Sequence, residues 1–117
     1  MIIDKFSLNG KVAIIIGASR GLGQGMARAL AEAGADLAIV ARTISSLEKF
    51  AEDVKGMGKT YLAIRADVSK LSEIQEVVDK VRKKFGKIDI LINSQGVQIT
   101  KSALEMKEQD WDELTAV

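Results

Sequence analysis

The chain has 117 residues, the size of one domain, so a large multidomain machine is excluded. Hydrophobic residues make up 47%, enough for a buried core, and a net charge of +1 gives no overall field that favours nucleic acid or an anionic membrane. Without cysteine or histidine, the chain lacks disulfides, thiolate chemistry, zinc fingers and the commonest general base. We therefore expect no metal site and no nucleic-acid interface.

The amino-terminal segment, Met1–Gly10, is polar and charged and lacks an apolar core of secretory length. No run approaches the ~20 apolar residues that span a bilayer. We expect a cytoplasmic protein that makes no membrane contact.

Strand and helix patterns alternate along the first third of the chain. A β-branched run over Lys11–Gly17 predicts a parallel strand that is covered on both faces and lies in the middle of a sheet. Helical spacing from Leu22 predicts a helix that ends at Gly34, and a second strand spans Asp36–Ala41. The predicted buried stripe of this helix is Leu22, Met26, Ala29, Leu30 and Ala33.

The middle of the chain continues this alternation. Apolar residues from Ile44 to Val54 predict a second helix, and the third strand spans Thr60–Arg65. The expected N-cap of this helix is Thr43 or Ser45, with Gly56 and Gly58 beyond its end.

The last third of the chain predicts one more helix and strand and the start of a further helix. Ser69 is the expected N-cap of the third helix, Gly86 closes it, and Ile88–Asn93 forms the fourth strand. The polar segment around 107–117 opens another helix, with Trp111 packed against the sheet. The predicted buried stripe of the third helix is Leu71, Ile74, Val77, Val78, Val81 and Phe85.

Strands that alternate with helices through short links predict an α/β fold with a doubly wound parallel sheet. The expected strand order is 3-2-1-4. Because ligands bind beyond the carboxyl ends of such strands, where the order reverses, the residues just after Ile16 and Ile92 should flank a binding crevice.

The strongest local pattern is a glycine-rich turn between the first strand and the first helix. Gly17 permits a tight turn, and Gly21 and Gly23 let main-chain N–H groups approach a diphosphate at the helix start. Ser19, Arg20 and Leu22 lie between these glycines in the same turn. The alternative is a glycine-rich turn that only packs the helix on the sheet.

These residues resemble the amino-terminal half of the short-chain dehydrogenase/reductase family over the whole chain. Ile16–Gly23 is similar to the family's cofactor-binding T-G-x-x-x-G-x-G, with Ile16 in place of the threonine. The family's Asp-Val pair, whose aspartate contacts adenine, resembles Asp67 and Val68. Its N-N-A-G strand end resembles the segment from Asn93 to Gly96, which carries Ser94 and Gln95 in the middle. Asp67 has a second interpretation, a hydrogen bond within the turn that follows it.

The residue after the second strand bears on the choice of dinucleotide. A carboxylate there would bind the ribose 2′-OH of NAD, but the chain has Arg42. Arg42 and Arg20 could hold a 2′-phosphate between two guanidinium groups. Basic residues at these two positions also resemble those of the family members that prefer NADP. We expect NADP, with NAD possible; the alternative is two solvated surface arginines.

The family's chemistry uses a serine, a Tyr-x-x-x-Lys pair and an asparagine that lie beyond the region similar to this chain. The single tyrosine, Tyr61, has no lysine four residues on, and residues 110–117 resemble the helix just before the catalytic asparagine. The resemblance implies that residues 1–117 form one NAD(P)-binding, Rossmann-type half-domain, without the catalytic half. We assign no catalytic residue and expect the chain alone to be inactive.

The complete protein is expected to be an NADPH-dependent carbonyl reductase. Phe6–Ala13 is similar to family members that act on sugar acids and on 3-oxoacyl thioesters. A second possibility is a truncated module without catalysis that forms homo-oligomers through the open edge of its fourth strand or its carboxyl-terminal segment. A third is a flavodoxin-like phosphate-binding domain.

Overall fold

The computed structural model describes residues 2–17, 21–43, 47–94 and 102–115. A short 3-10 helix, Ile2–Phe6, precedes the first strand. The strands are β1 (Val12–Ile16), β2 (Asp36–Ala41), β3 (Tyr61–Arg65) and β4 (Ile90–Asn93). The helices are α1 (Gly21–Glu32), α2 (Glu48–Gly56), α3 (Leu71–Phe85) and α4 (Glu108–Thr115).

The four strands form one parallel sheet in the order β3-β2-β1-β4, which confirms the predicted topology. Ile16 at the end of β1 pairs with Val40 on one side and Asn93 on the other, and Ala41 pairs with Arg65. The carboxyl ends of all four strands therefore lie at one edge of the sheet. The predicted central position of the first strand is also correct, since β1 has a neighbour on each side.

Each face of the sheet carries its own apolar core. On one face Ile15 and Leu37 are fully buried together with Phe50 of α2. On the other face Ile14 and Val40 pack with residues of α3. Burial of each such side chain contributes roughly 1.5–3 kcal/mol, so the run of β-branched residues in β1 forms a strand because both of its faces are covered.

The buried stripe of α1 differs from the predicted one. Leu22 is 76% exposed and Ala29 is exposed, whereas Ala27 and Ala31 are buried with Gly23. The buried positions recur every four residues and are all small, which lets the helix axis approach the sheet closely. Leu30 of the predicted stripe packs half-buried against the core, so the spacing of apolar residues identified the helix but placed its buried face only in part.

The predicted stripe of α3 is correct only in its second half. Val77 and Val81 are buried, but Leu71 is 82% exposed and Ile74 is 39% exposed. Ile74 lines an apolar groove beside β4 that stays open in the part of the chain described. The first turns of α3 therefore extend past the packed part of the sheet.

The predicted N-cap Ser69 is wrong for α3, and Thr43 is wrong for α2; Ser45, the other candidate for α2, lies outside the described residues. Leu47 holds the N-cap position of α2, and Lys70 that of α3; neither side chain makes a capping hydrogen bond. Leu47 is 1% exposed, so core burial rather than capping fixes the start of α2. Gly56, expected beyond the helix, is its last residue. Trp111 was expected to pack on the sheet but is 64% exposed.

Over the ranges that the structure covers, every helix is too short or too polar to cross a bilayer. Within those ranges, no cluster of three or more carboxylate, histidine or cysteine side chains could hold a metal ion.

Candidate nucleotide-binding edge

The residues that directly follow the four strands lie at the carboxyl edge of the sheet. The Gly17 N–H donates to the Val40 carbonyl oxygen at 3.0 Å, and the Ser94 N–H donates to the Ile16 oxygen at 2.8 Å. The Ala66 N–H donates to the Ala41 oxygen at 3.1 Å. These bonds extend the sheet by one residue per strand and bring the glycine turn, Arg42, Asp67 and Asn93 to the same edge.

The glycine turn makes a close main-chain contact with the start of α1. Gly17 has φ +87°, a left-handed conformation that favours glycine. A methyl group added to Gly23 would lie 2.5 Å from the Gly17 carbonyl oxygen and 3.0 Å from the Ser94 hydroxyl oxygen. Helix packing therefore requires glycine at position 23, as the packing interpretation predicted. The same contact places the amino terminus of α1 at the sheet edge, where a helix can bind an anion.

Of the other predicted site residues, four lie within the described ranges and three lie outside them. Gly21 begins α1, Asn93 ends β4, and Val68 packs half-buried against the core on the α3 side. The exposed Leu22 side chain lies in the first turn of α1. Ser19, Arg20 and Gly96 lie outside the described residues.

A charged cavity of about 260 Å³ lies beyond the ends of β2 and β3. Its lining brings together two predicted residues, Arg42 and Asp67, with three that sequence reasoning did not select: Arg65, Lys70 and Glu73. This volume is below the roughly 300–1,000 Å³ of pockets that enclose a whole ligand. The cavity therefore suits one end of an extended ligand.

Hydrogen bonds hold Asp67 within its own turn. Its Oδ1 accepts the Ser69 N–H at 3.0 Å and the Ser69 hydroxyl at 2.6 Å. The hydrogen bond from the Ser69 hydroxyl is the main cause that lowers the pKa of Asp67, and the charges of Lys70 and Arg42 lower it further. Ser69 therefore donates to the Asp67 carboxylate instead of capping α3. The predicted hydrogen bond of Asp67 within the turn that follows it is observed.

Glu73 fixes this turn from the first turn of α3. Its Oε1 accepts the Asp67 N–H at 3.2 Å, and its Oε2 lies 3.9 Å from the Lys70 ammonium. Glu73 stands three residues after the N-cap Lys70, the position from which a capping-box glutamate bonds back to main chain. Because the sequence indicates Ser69 and not Lys70 as the N-cap, this spacing could not have identified Glu73 in advance.

Asp89 joins the amino-terminal ends of β1 and β4, the edge opposite the glycine turn. Its Oδ2 accepts the Val12 N–H at 2.8 Å and lies 3.1 Å from the Lys87 ammonium. The hydrogen bond from Val12, and then that from Lys87, lowers the pKa of Asp89. Its partner is 77 positions away in the chain, so local pattern could not have identified it.

Tyr61 lies at the amino-terminal end of β3, away from this edge. Its ring packs edge-on against Phe50, with ring centres 6.0 Å apart. Its buried hydroxyl has no hydrogen-bond partner among the described residues, and burial raises its pKa to about 12. A tyrosine in this position and protonation state does not supply a proton to chemistry at the opposite end of the sheet.

Comparison with known proteins finds relatives over nearly the whole chain. The chain is 43% identical over 114 residues to 2-dehydro-3-deoxy-D-gluconate 5-dehydrogenase of Escherichia coli, covering 97% of this chain and 44% of that protein. It is 37% identical over 105 residues to 3-oxoacyl-(acyl-carrier-protein) reductase of Staphylococcus epidermidis, covering 89% of this chain and 43% of that protein.

The chain is also similar to a protein of known structure. An alcohol dehydrogenase of Thermococcus sibiricus, crystallised with 5-hydroxy-NADP, superposes with a TM-score of 0.83 at 38% identity, over 92% of this chain and 46% of that one. The chain thus spans about half the length of the relatives it matches. The family model for short chain dehydrogenases matches residues 11–117. The chain belongs to the short-chain dehydrogenase family.

Proposed function

We propose that this chain is the cofactor-binding part of a short-chain oxidoreductase and that it prefers NADP(H) to NAD(H). The observation that carries the proposal is the cavity at the ends of β2 and β3, where Arg42 stands in the place of a ribose-binding carboxylate. A guanidinium group attracts a 2′-phosphate and offers no acceptor to a ribose hydroxyl. The NADP analogue bound to the Thermococcus sibiricus relative supports this cofactor.

We propose that different residues of the sheet edge bind different parts of the dinucleotide. Main-chain N–H groups that follow Gly17, including those of Ser19, Arg20, Leu22 and Gly23, bind the diphosphate at the start of α1. Asp67 and Val68 contact the adenine, and Arg42 with Arg20 binds the 2′-phosphate. Asn93 and Gly96 are proposed to contact the nicotinamide half. When bound, the cofactor supplies or accepts the hydride.

The whole protein is proposed to reduce a carbonyl group of a sugar acid or a 3-oxoacyl compound. The names of the two enzymes that resemble the chain support both substrate classes. This chain alone is proposed to be inactive, because its single tyrosine is neutral, buried and at the opposite edge of the sheet.

Calorimetric titration of the chain with NADPH and NADH tests the cofactor preference. We expect NADPH to bind about tenfold more tightly or better, because an arginine–phosphate pair is a charge-assisted bidentate interaction. Arg42→Ala should remove most of this preference. Arg82→Ala, an exposed arginine on the last turn of α3, is the matched control and should leave it unchanged. Equal affinities that Arg42→Ala does not alter would refute the preference.

A second candidate function is self-association through β4. Leu91 in β4 is 62% exposed, and in the part of the chain that the structure describes β4 has a strand neighbour on one side only. The apolar groove between α3 and β4 has a volume of about 440 Å³ and includes Ile16, Ile74 and Ile88. An apolar groove beside an open strand edge is a surface on which a second copy can pack.

Sedimentation velocity at increasing concentration tests this candidate. We expect a dimer that Leu91→Lys dissociates, because a lysine in the groove adds a charge that a dimer would bury. Leu104→Lys is the control, since Leu104 is fully exposed. A monodisperse monomer at high concentration would count against self-association, and so would equal effects of the two variants.

A further inference from the structure

Two arginines on neighbouring strand ends face one cavity. Arg65 is the last residue of β3 and pairs in register with Ala41, which directly precedes Arg42. Adjacent strands lie about 4.8 Å apart, so the main chain at Arg65 lies beside the main chain that leads into Arg42. Both line the cavity of about 260 Å³. Sequence reasoning selected Arg42 but treated Arg65 only as the end of a strand.

The two carboxylates that line this cavity, those of Asp67 and Glu73, accept hydrogen bonds from groups other than the arginines. Asp67 accepts two hydrogen bonds from Ser69, and Glu73 accepts one from the Asp67 N–H and lies near Lys70. Among the described residues, neither Arg42 nor Arg65 has a carboxylate within 4.0 Å. Within the ranges described, both arginines that line the cavity are therefore without an ion-pair partner.

A dianionic phosphate is the ligand that this arrangement suits. A phosphate can accept hydrogen bonds from two planar guanidinium groups at once. Asp67 and Glu73 keep the cavity from being uniformly basic, which favours one compact anion over an extended polyanion. Glu73 also accepts a hydrogen bond from the Asp67 N–H, which restrains the turn that lines this part of the cavity.

We propose that Arg65 is a specificity-determining residue that binds the 2′-phosphate of the dinucleotide together with Arg42. This inference rests on the proposed NADP(H) function and adds to it a contact from the end of β3. Lys70, whose ammonium lies 3.9 Å from Glu73, contributes charge but is not required for the contact.

The test compares two probes that differ only in the 2′-phosphate, adenosine 2′,5′-bisphosphate and 5′-AMP. Their dissociation constants for the chain are measured by titration followed by NMR, which detects weak binding. We expect Arg65→Ala to weaken the bisphosphate about tenfold and to leave 5′-AMP within about twofold. Arg65→Lys should have an intermediate effect, because it keeps the charge and loses the planar donors.

Each result decides a separate question. Equal weakening of both probes by Arg65→Ala would mean a structural role and would overturn the inference. Loss of the preference in Arg42→Ala but not in Arg65→Ala would overturn the inference and leave the proposed function standing. No preference for the bisphosphate in the unaltered chain would overturn both. Arg82→Ala controls for loss of positive charge and should change neither probe.

Discussion

Replacing Gly23 by alanine should destabilise the fold through a contact that can be measured. The added methyl group would lie 2.5 Å from the Gly17 oxygen, where ordinary contacts begin at 3.4 Å, so main chain has to move by roughly 0.9 Å. The hydroxyl oxygen of Ser94, the residue after β4, would lie 3.0 Å from the added methyl group and limits the movement further. Overpacking of this kind costs about 1–3 kcal/mol.

Gly25 in the same helix is the matched control. A methyl group at Gly25 meets no atom within 4 Å. Gly25→Ala should raise the free energy of unfolding by about 0.5–1 kcal/mol, because alanine loses less backbone entropy in a helix. The same chemical change therefore has opposite signs two residues apart.

Urea unfolding followed by circular dichroism measures both variants. The free energy of unfolding should fall for Gly23→Ala and rise for Gly25→Ala, with thermal midpoints shifting by about 4 °C per kcal/mol. If Gly23→Ala is as stable as Gly25→Ala, α1 does not pack on the glycine turn in the way described, and the geometry of the candidate site is wrong.

The remaining predictions concern Tyr61. Tyr61→Phe removes a buried hydroxyl that has no partner among the described residues, so urea unfolding at neutral pH should show unchanged stability or a gain of up to about 1 kcal/mol. Above pH 10 the unfolded chain loses the tyrosine proton while the folded chain keeps it to about pH 12. Stability of the unaltered chain should therefore fall between pH 10 and 12 by more than that of Tyr61→Phe; parallel pH profiles would contradict this.

The sheet was predictable because its patterns are local. The apolar run of β1 and the glycine that follows it identify a strand that turns sharply, and the alternation of strands and helices gives the order 3-2-1-4. Strand order then brings Gly17, Arg42, Asp67 and Asn93 to one edge without any knowledge of side-chain contacts.

The errors concern features that depend on distant parts of the chain. The buried face of α1 is set by the sheet beneath it, which accepts Ala27 and Ala31 closely and leaves Leu22 exposed. The start of α3 is set by Asp67, which attracts the Ser69 hydroxyl. Arg65 was missed because only the pairing of β3 with β2, opposite Ala41, and the shared cavity bring it together with Arg42.

The most direct test of the account is to map NADPH on the chain by NMR. An amide spectrum recorded with increasing NADPH should show the largest shifts at Gly17, Gly23 and Asn93, with Arg42 and Asp67 also affected. NADH should shift the glycine amides and leave Arg42 nearly unchanged. Shifts confined to other parts of the fold, or none at millimolar NADPH, would contradict the claim that the carboxyl edge of this sheet binds the dinucleotide.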